Sequence, residues 1–126
     1  MRILLDTATI IWAVNSPEHI SKKAMAALQD QKAVLEMSAI SLTEIAIKRS
    51  IGKLSFDKDE IVQGIKALRL SVLPYTSDHA LQLFSLPTHH SDPFDRQIIA
   101  QALIENIPVV TADGKFRLYK GIKIIW

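Results

Sequence analysis

Apolar runs of strand length alternate with helical patterns from one end of this chain to the other, and that alternation leaves few folds open. RILLD (Arg2 to Asp6), AVLEMS (Ala33 to Ser38), LSVLPY (Leu70 to Tyr75), IPVVTAD (Ile107 to Asp113) and IKIIW (Ile122 to Trp126) read as short buried strands. Between the first two, TATIIWAV opens a helix, and Ser16 to Asp30 reads as one amphipathic helix with Ser16 as N-cap and Pro17 at its first position. Ser41 to Gly52 has capping-box spacing from Ser41 to Glu44 and a terminal glycine. Asp57 to Arg69 and Ser77 to Pro87 follow as helices, and DPFDRQIIAQA continues as a helix through about Asn106. Strands separated by helices imply right-handed crossovers and a mainly parallel sheet covered on both faces. The expectation is a three-layer α/β/α domain with a central sheet of about five strands.

A chain of 126 residues suits one domain with a real core, so residues 1–126 are read as a single domain. No apolar run approaches the ~20 residues of a membrane span, and the start MRILLDTATIIWAV places an acid inside its apolar stretch, unlike a signal peptide. A cytoplasmic protein is expected. With no cysteine there is neither a disulfide framework nor a thiolate site, so any chemistry falls to carboxylates, histidines or hydroxyls. A net charge of +2 says little about nucleic acid.

In an open parallel sheet, ligands bind outside the carboxyl ends of the strands, where strand order reverses. Asp6 ends the first strand, Asp113 follows PVVTA, Glu44 lies one turn into the helix after the second strand, and Asp92 and Asp95 open the helix that feeds PVVTA. Each has an ordinary structural role available. Asp92 precedes Pro93 and fits an N-cap; Asp95 falls where a carboxylate favours the helix dipole; Glu44 can close the Ser41 box or pair with Lys48; Asp113 can be a turn residue ahead of Gly114. Asp6 is hardest to explain this way, because an unpaired charge beside a buried run is costly. Carboxylates gathered at one edge repel one another unless a cation lies among them. Oxygen ligands without cysteine select a hard ion, Mg²⁺ or Mn²⁺.

Four segments in order, LLDTATIIWAV, SAISLTEIAIK, HHSDPFDRQIIAQA and VVTADGKF, resemble a PIN domain, and within that family the VapC-type toxins of bacterial toxin-antitoxin pairs. The resemblance implies a metal site formed by Asp6, Glu44, Asp95 and Asp113, with Thr111 helping to position metal-bound water or a carboxylate. Asp92 belongs to the DPFDR form of one subgroup and is read as the cap. Relatives often carry His two residues after the first acid, where this chain has Ala8. The resemblance also implies a cognate antitoxin partner and commonly a homodimer.

The leading reading is therefore a Mg²⁺- or Mn²⁺-dependent endoribonuclease that hydrolyses phosphodiester bonds without a covalent intermediate and leaves 5'-phosphate and 3'-hydroxyl ends. Lys48, Arg49, Lys53, Arg96, Lys115 and Arg117 are candidate RNA-backbone contacts, each with ordinary solvated surface as its alternative. Arg96 has a further alternative in an ion pair with Asp92. His89 and His90 lack a helical ligand spacing and are read as loop residues that touch RNA rather than metal. Trp12 and Trp126 read as core or interface aromatics. The rival readings are a non-catalytic binding module and an aspartyl-phosphate phosphatase with Asp6 as nucleophile. The phosphatase wants a second acid where Ala8 stands.

Overall fold

β1 (Arg2–Leu5) places Ile3 and Leu5 on one side of a sheet and Leu4 on the other, all at 1% exposure or less. A strand buried on both faces belongs in the middle of a covered parallel sheet. In the computed structural model, which describes residues 1–126, that is its place. The sheet has five strands in the order β3-β2-β1-β4-β5, all neighbours parallel, with β2 at Val34–Ser38, β3 at Ser71–Leu73, β4 at Val109–Val110 and β5 at Ile124–Ile125. The order reverses at β1, between β2 and β4, so the crevice of such a sheet opens beyond Leu5 and Val110.

Six α-helices complete the fold: α1 (Thr7–Asn15), α2 (Lys22–Gln29), α3 (Ala39–Ser50), α4 (Lys58–Ala67), α5 (Ser77–Gln82) and α6 (Pro93–Glu105). Ile3 and Leu5 pack with Ile10 of α1, Ala24 of α2 and Met37 of β2. On the opposite face Leu4 packs with Ile98, Ile99 and Ala102 of α6 and with Phe116. A smaller cluster of Ile45, Phe56 and Ile61 ties α3 to α4. No helix is long and apolar enough to cross a membrane.

Two predicted caps fall elsewhere. Ser16 to Asp30 is broken: Pro17–His19 forms a 3-10 turn, and Ser21 caps α2 by accepting the Ala24 N–H at 3.1 Å. The apolar stripe that suggests one helix continues across the break, since Ile20 is buried at the joint. Ser41 is not a cap either. β2 passes into α3 without a loop, Ser38 accepts the Ile40 N–H at 2.9 Å, and Ser41 lies inside the helix with its hydroxyl 2.8 Å from that of Thr7. The C-terminal signal holds, for Gly52 takes a φ of +79° just past the helix, a conformation glycine adopts freely.

Candidate metal centre

Asp6 follows β1 directly and serves first as the N-cap of α1, accepting the Thr9 N–H on Oδ1 at 2.9 Å. Its Oδ2 accepts the Thr111 hydroxyl at 2.6 Å, so the ends of β1 and β4 are joined through this carboxylate. At 4% exposure it is buried, and burial pushes its carboxyl above the usual aspartate range. The Thr111 and Thr9 hydrogen bonds oppose that shift, and the charge of Asp113 adds to it.

Glu44 projects from α3 at 4% exposure and forms an ion pair with Lys48 one turn on. Only one oxygen is engaged: Glu44 Oε1 is buried with no partner. Asp95 stands in the first turn of α6. Burial, then the charges of Asp92 and Asp6, raise its carboxyl to about 7, against the opposing effect of His90. Asp113 caps the 3-10 turn Gly114–Leu118, with Oδ1 accepting the Lys115 N–H at 2.9 Å. Burial works to raise it, but the Lys115 amide and His90 outweigh burial and hold it below the ordinary value.

These four acids line one cleft of about 360 Å³, together with Asp92, Lys48, Ala8 and Trp12. Four separate elements supply them: the segments that follow β1 and β4, the body of α3 and the first turn of α6. The donor set is all oxygen, two of its carboxyls are driven toward their neutral forms, and a buried Glu44 oxygen lacks a partner. A hard divalent cation fits that arrangement.

A family description, PIN domain, matches residues 3–122 of the sequence. The chain belongs to the PIN domain family. That family is one of nucleases. Three solved structures share the PIN architecture over nearly the whole chain. VapBC2 from Rickettsia felis bound to a DNA fragment from their promoter has a TM-score of 0.75 and 20% identity, covering 98% of this chain and 97% of that one. DNA-bound VapBC from Salmonella typhimurium has a TM-score of 0.71 and 24% identity, with 98% and 96% covered. VapBC-5 from Mycobacterium tuberculosis, a member of the VapBC family of toxin-antitoxin systems, has a TM-score of 0.62 and 20% identity, with 98% and 97% covered. At these identities the likeness is one of fold. No curated protein sequence matches significantly.

Within this PIN domain, His90 is a loop residue as read, but its side chain turns inward rather than toward RNA. The side chain is buried, with Nε2 bonded to Asp113 Oδ2 at 2.7 Å and 3.1 Å from Asp95 Oδ2. Sequence spacing hides this because Asp113 lies 23 residues away and Asp95 on the helix that follows. His89 is exposed and meets Tyr119 edge-on at 5.1 Å. Arg96 makes no ion pair with Asp92, since its Nη1 donates to the Pro87 carbonyl at 2.9 Å and the Tyr119 hydroxyl at 3.4 Å. Of the basic candidates Lys48 alone lines the cleft, while Lys115 is exposed two residues beyond Asp113, and Arg49, Lys53 and Arg117 lie on the surface. Trp12 and Trp126 pack at 5.8 Å beside the second core cluster.

Asp92 is the cap of α6, its Oδ1 accepting the N–H groups of Phe94 at 2.8 Å and Asp95 at 3.0 Å. The Asp92→Ala substitution is expected to cost about 1 kcal/mol of stability, measurable by urea unfolding. It should also lower the pKa of Asp95, because a neighbouring negative charge is removed.

Proposed function

We propose that this PIN domain is a metal-dependent endoribonuclease acting as the VapC-type toxin of a toxin-antitoxin pair. The observation that carries the reading is the meeting of Asp6, Glu44, Asp95 and Asp113 in one cleft at the sheet's switch point. These four residues would hold Mg²⁺, with Mn²⁺ able to substitute. When bound, the ion supplies charge neutralisation at a phosphodiester and an acidified water as nucleophile.

The chain's own residues do the positioning. Thr111 fixes Asp6 across the strand ends, so one carboxylate face stays aimed into the cleft. Lys48, whose ammonium pairs with Glu44 and feels Asp92 and Asp95, is the nearest cation to a phosphate entering the cleft. Arg96 and Lys115 would meet the RNA backbone farther out, with Asp92 supporting through its cap. A phosphatase with Asp6 as nucleophile would want a second acid two residues on, where this chain has Ala8. The partners we assign are an RNA substrate, a cognate antitoxin and a second copy of the chain, in the cytoplasm. The antitoxin is supported by fold neighbours that are themselves VapBC assemblies.

Purified protein incubated with total cellular RNA should yield discrete fragments in Mg²⁺ or Mn²⁺ and none in EDTA, with 5'-phosphate ends at the cuts. Equal cleavage in EDTA would overturn the metal requirement. Intact RNA under every divalent ion, from folded protein free of any partner, would favour a binding module.

A further inference from the structure

The ring of His90 sits where two carboxylates of the cleft approach each other, and its other edge reveals how it is used. Nδ1 accepts the backbone N–H of Asp92 at 3.1 Å. A backbone amide can only donate, so Nδ1 carries a lone pair and the ring hydrogen is on Nε2. That hydrogen is donated to Asp113 Oδ2 at 2.7 Å, and Asp95 Oδ2 lies 3.1 Å from the same nitrogen.

The three side chains have the spacing of a small metal site, with one ligand atom from each lying within 4.8 Å of the others. Ligation through Nε2 would require its lone pair to face the ion and the ring hydrogen to move to Nδ1. Nδ1–H would then confront the Asp92 N–H, two donors with no acceptor between them, in a buried loop where such a clash is costly. The hydrogen bonding therefore separates His90 from the ligand set.

We propose that His90 is a positioning residue: its Nε2–H bonds Asp113 while Asp95 Oδ2 packs against the same nitrogen, so two acids from separate elements are held together and Asp95 keeps its second oxygen for the cation. The proposal rests on the metal-nuclease reading and adds to it a residue outside the four acids. Its support is structural on every side. The His90 N–H donates to the Tyr119 hydroxyl at 2.9 Å, and the ring meets Phe116 edge-on at 6.0 Å, so neither backbone nor ring is free to turn. Asp92 holds the ring with its backbone while its side chain caps the helix bearing Asp95. Asp113, in turn, has one oxygen on the Lys115 amide and the other on His90, which sets its plane.

Three measurements test this. In metal-free wild-type protein, ¹⁵N shifts of the His90 imidazole should report the Nε2–H tautomer, and an Nδ1–H tautomer would overturn the assignment. In Mn²⁺-loaded wild type, pulsed EPR should find no directly bound histidine nitrogen, whereas such a nitrogen would make His90 a ligand. His90→Phe, which keeps a ring but removes the donor, should weaken Mn²⁺ binding by about 10- to 100-fold by calorimetry. His90→Gln, whose amide can donate to the same oxygens, should recover part of that loss. Wild-type affinity in His90→Phe, with Asp6→Asn weakened in parallel, would sink the positioning role alone. Wild-type affinity in Asp6→Asn would sink the metal reading instead. Should His90→Phe fail to fold, the tautomer and the EPR spectrum of the wild type still decide.

Discussion

An Asp6→Asn protein will fold and leave RNA uncut, with cleavage reduced by at least about 10³-fold, or roughly 4 kcal/mol of transition-state stabilisation. The substitution is nearly isosteric. An amide oxygen can still accept the Thr9 N–H, and the amide nitrogen can donate to Thr111, whose hydroxyl already accepts the Asp113 N–H at 3.0 Å. What disappears is a charge that the fold tolerates poorly. Asp6 is raised above its ordinary 3.8 by burial, and Asp95 is raised to about 7 by burial and by its acidic neighbours. Without metal, between the ordinary carboxylate value and about 7, the folded chain holds more protons than the unfolded one. Stability of the metal-free protein must therefore fall as pH rises through that window. Asp6→Asn removes one contributor and relieves the repulsion on Asp95, so its stability should fall less. Thermal midpoints in EDTA at pH 5 and pH 8, beside an RNA-cleavage assay, test both halves. Retained cleavage would reassign the centre, and an equal or steeper decline with pH would contradict the burial argument.

The second large effect lies at the opposite, amino-terminal end of the sheet. Arg2 grips Glu36 with two hydrogen bonds, at 2.7 and 2.9 Å, and reaches Glu105 at 3.0 Å; Glu105 also meets the buried His79 at 3.1 Å. Glu36 stands in β2 opposite Leu4 at 7% exposure, so Arg2→Ala would leave a carboxylate unpaired among apolar neighbours. Breaking a fully buried pair costs about 3–5 kcal/mol. The Arg2 side chain is 41% exposed, so we expect about 2 kcal/mol after allowing for solvent screening, a drop of roughly 10 °C in thermal midpoint. The double substitution Arg2→Leu with Glu36→Leu should recover much of the loss, because no buried charge remains. His79 and then Arg2 hold Glu105 below its ordinary 4.5, so its contribution is present at neutral pH and fades on acidification below that value. Arg2→Ala should move that acid limb upward. Unchanged stability in the single variant would show that water reaches Glu36.

Residues whose placement follows from local order were legible in the sequence. Asp6 and Asp113 end apolar runs, Glu44 sits a turn into a helix, and Asp92-Pro93 announces a cap; all four stand where those cues place them. Cues that depend on the exact meeting of two elements misled. Ser41 has perfect box spacing, yet β2 and α3 join with no intervening loop, so Ser38 takes the cap and Ser41 is left to the buried Thr7 hydroxyl. His90 was opaque for the same reason at longer range. Its neighbours in the chain are polar loop residues, and nothing within a helical turn reveals that Asp113 and the Tyr119 hydroxyl await it. Arg96 likewise is claimed by Pro87 and Tyr119 rather than by the acid four positions earlier.

The strand order has a consequence for how this chain is born. β1 is synthesised before the other four strands but sits in the middle of the sheet, with one flank waiting for β2 and the other for β4. Asp6 cannot receive the Thr111 hydroxyl, nor the cleft its fourth acid, until synthesis has passed Asp113 of the 126 residues. A nascent or prematurely ended chain therefore carries three of the acids with no closed sheet to hold them, and the decisive pairing is also among the most distant in sequence and the slowest kind to form. The four-acid cleft thus assembles late and all at once, as the last strands join the sheet.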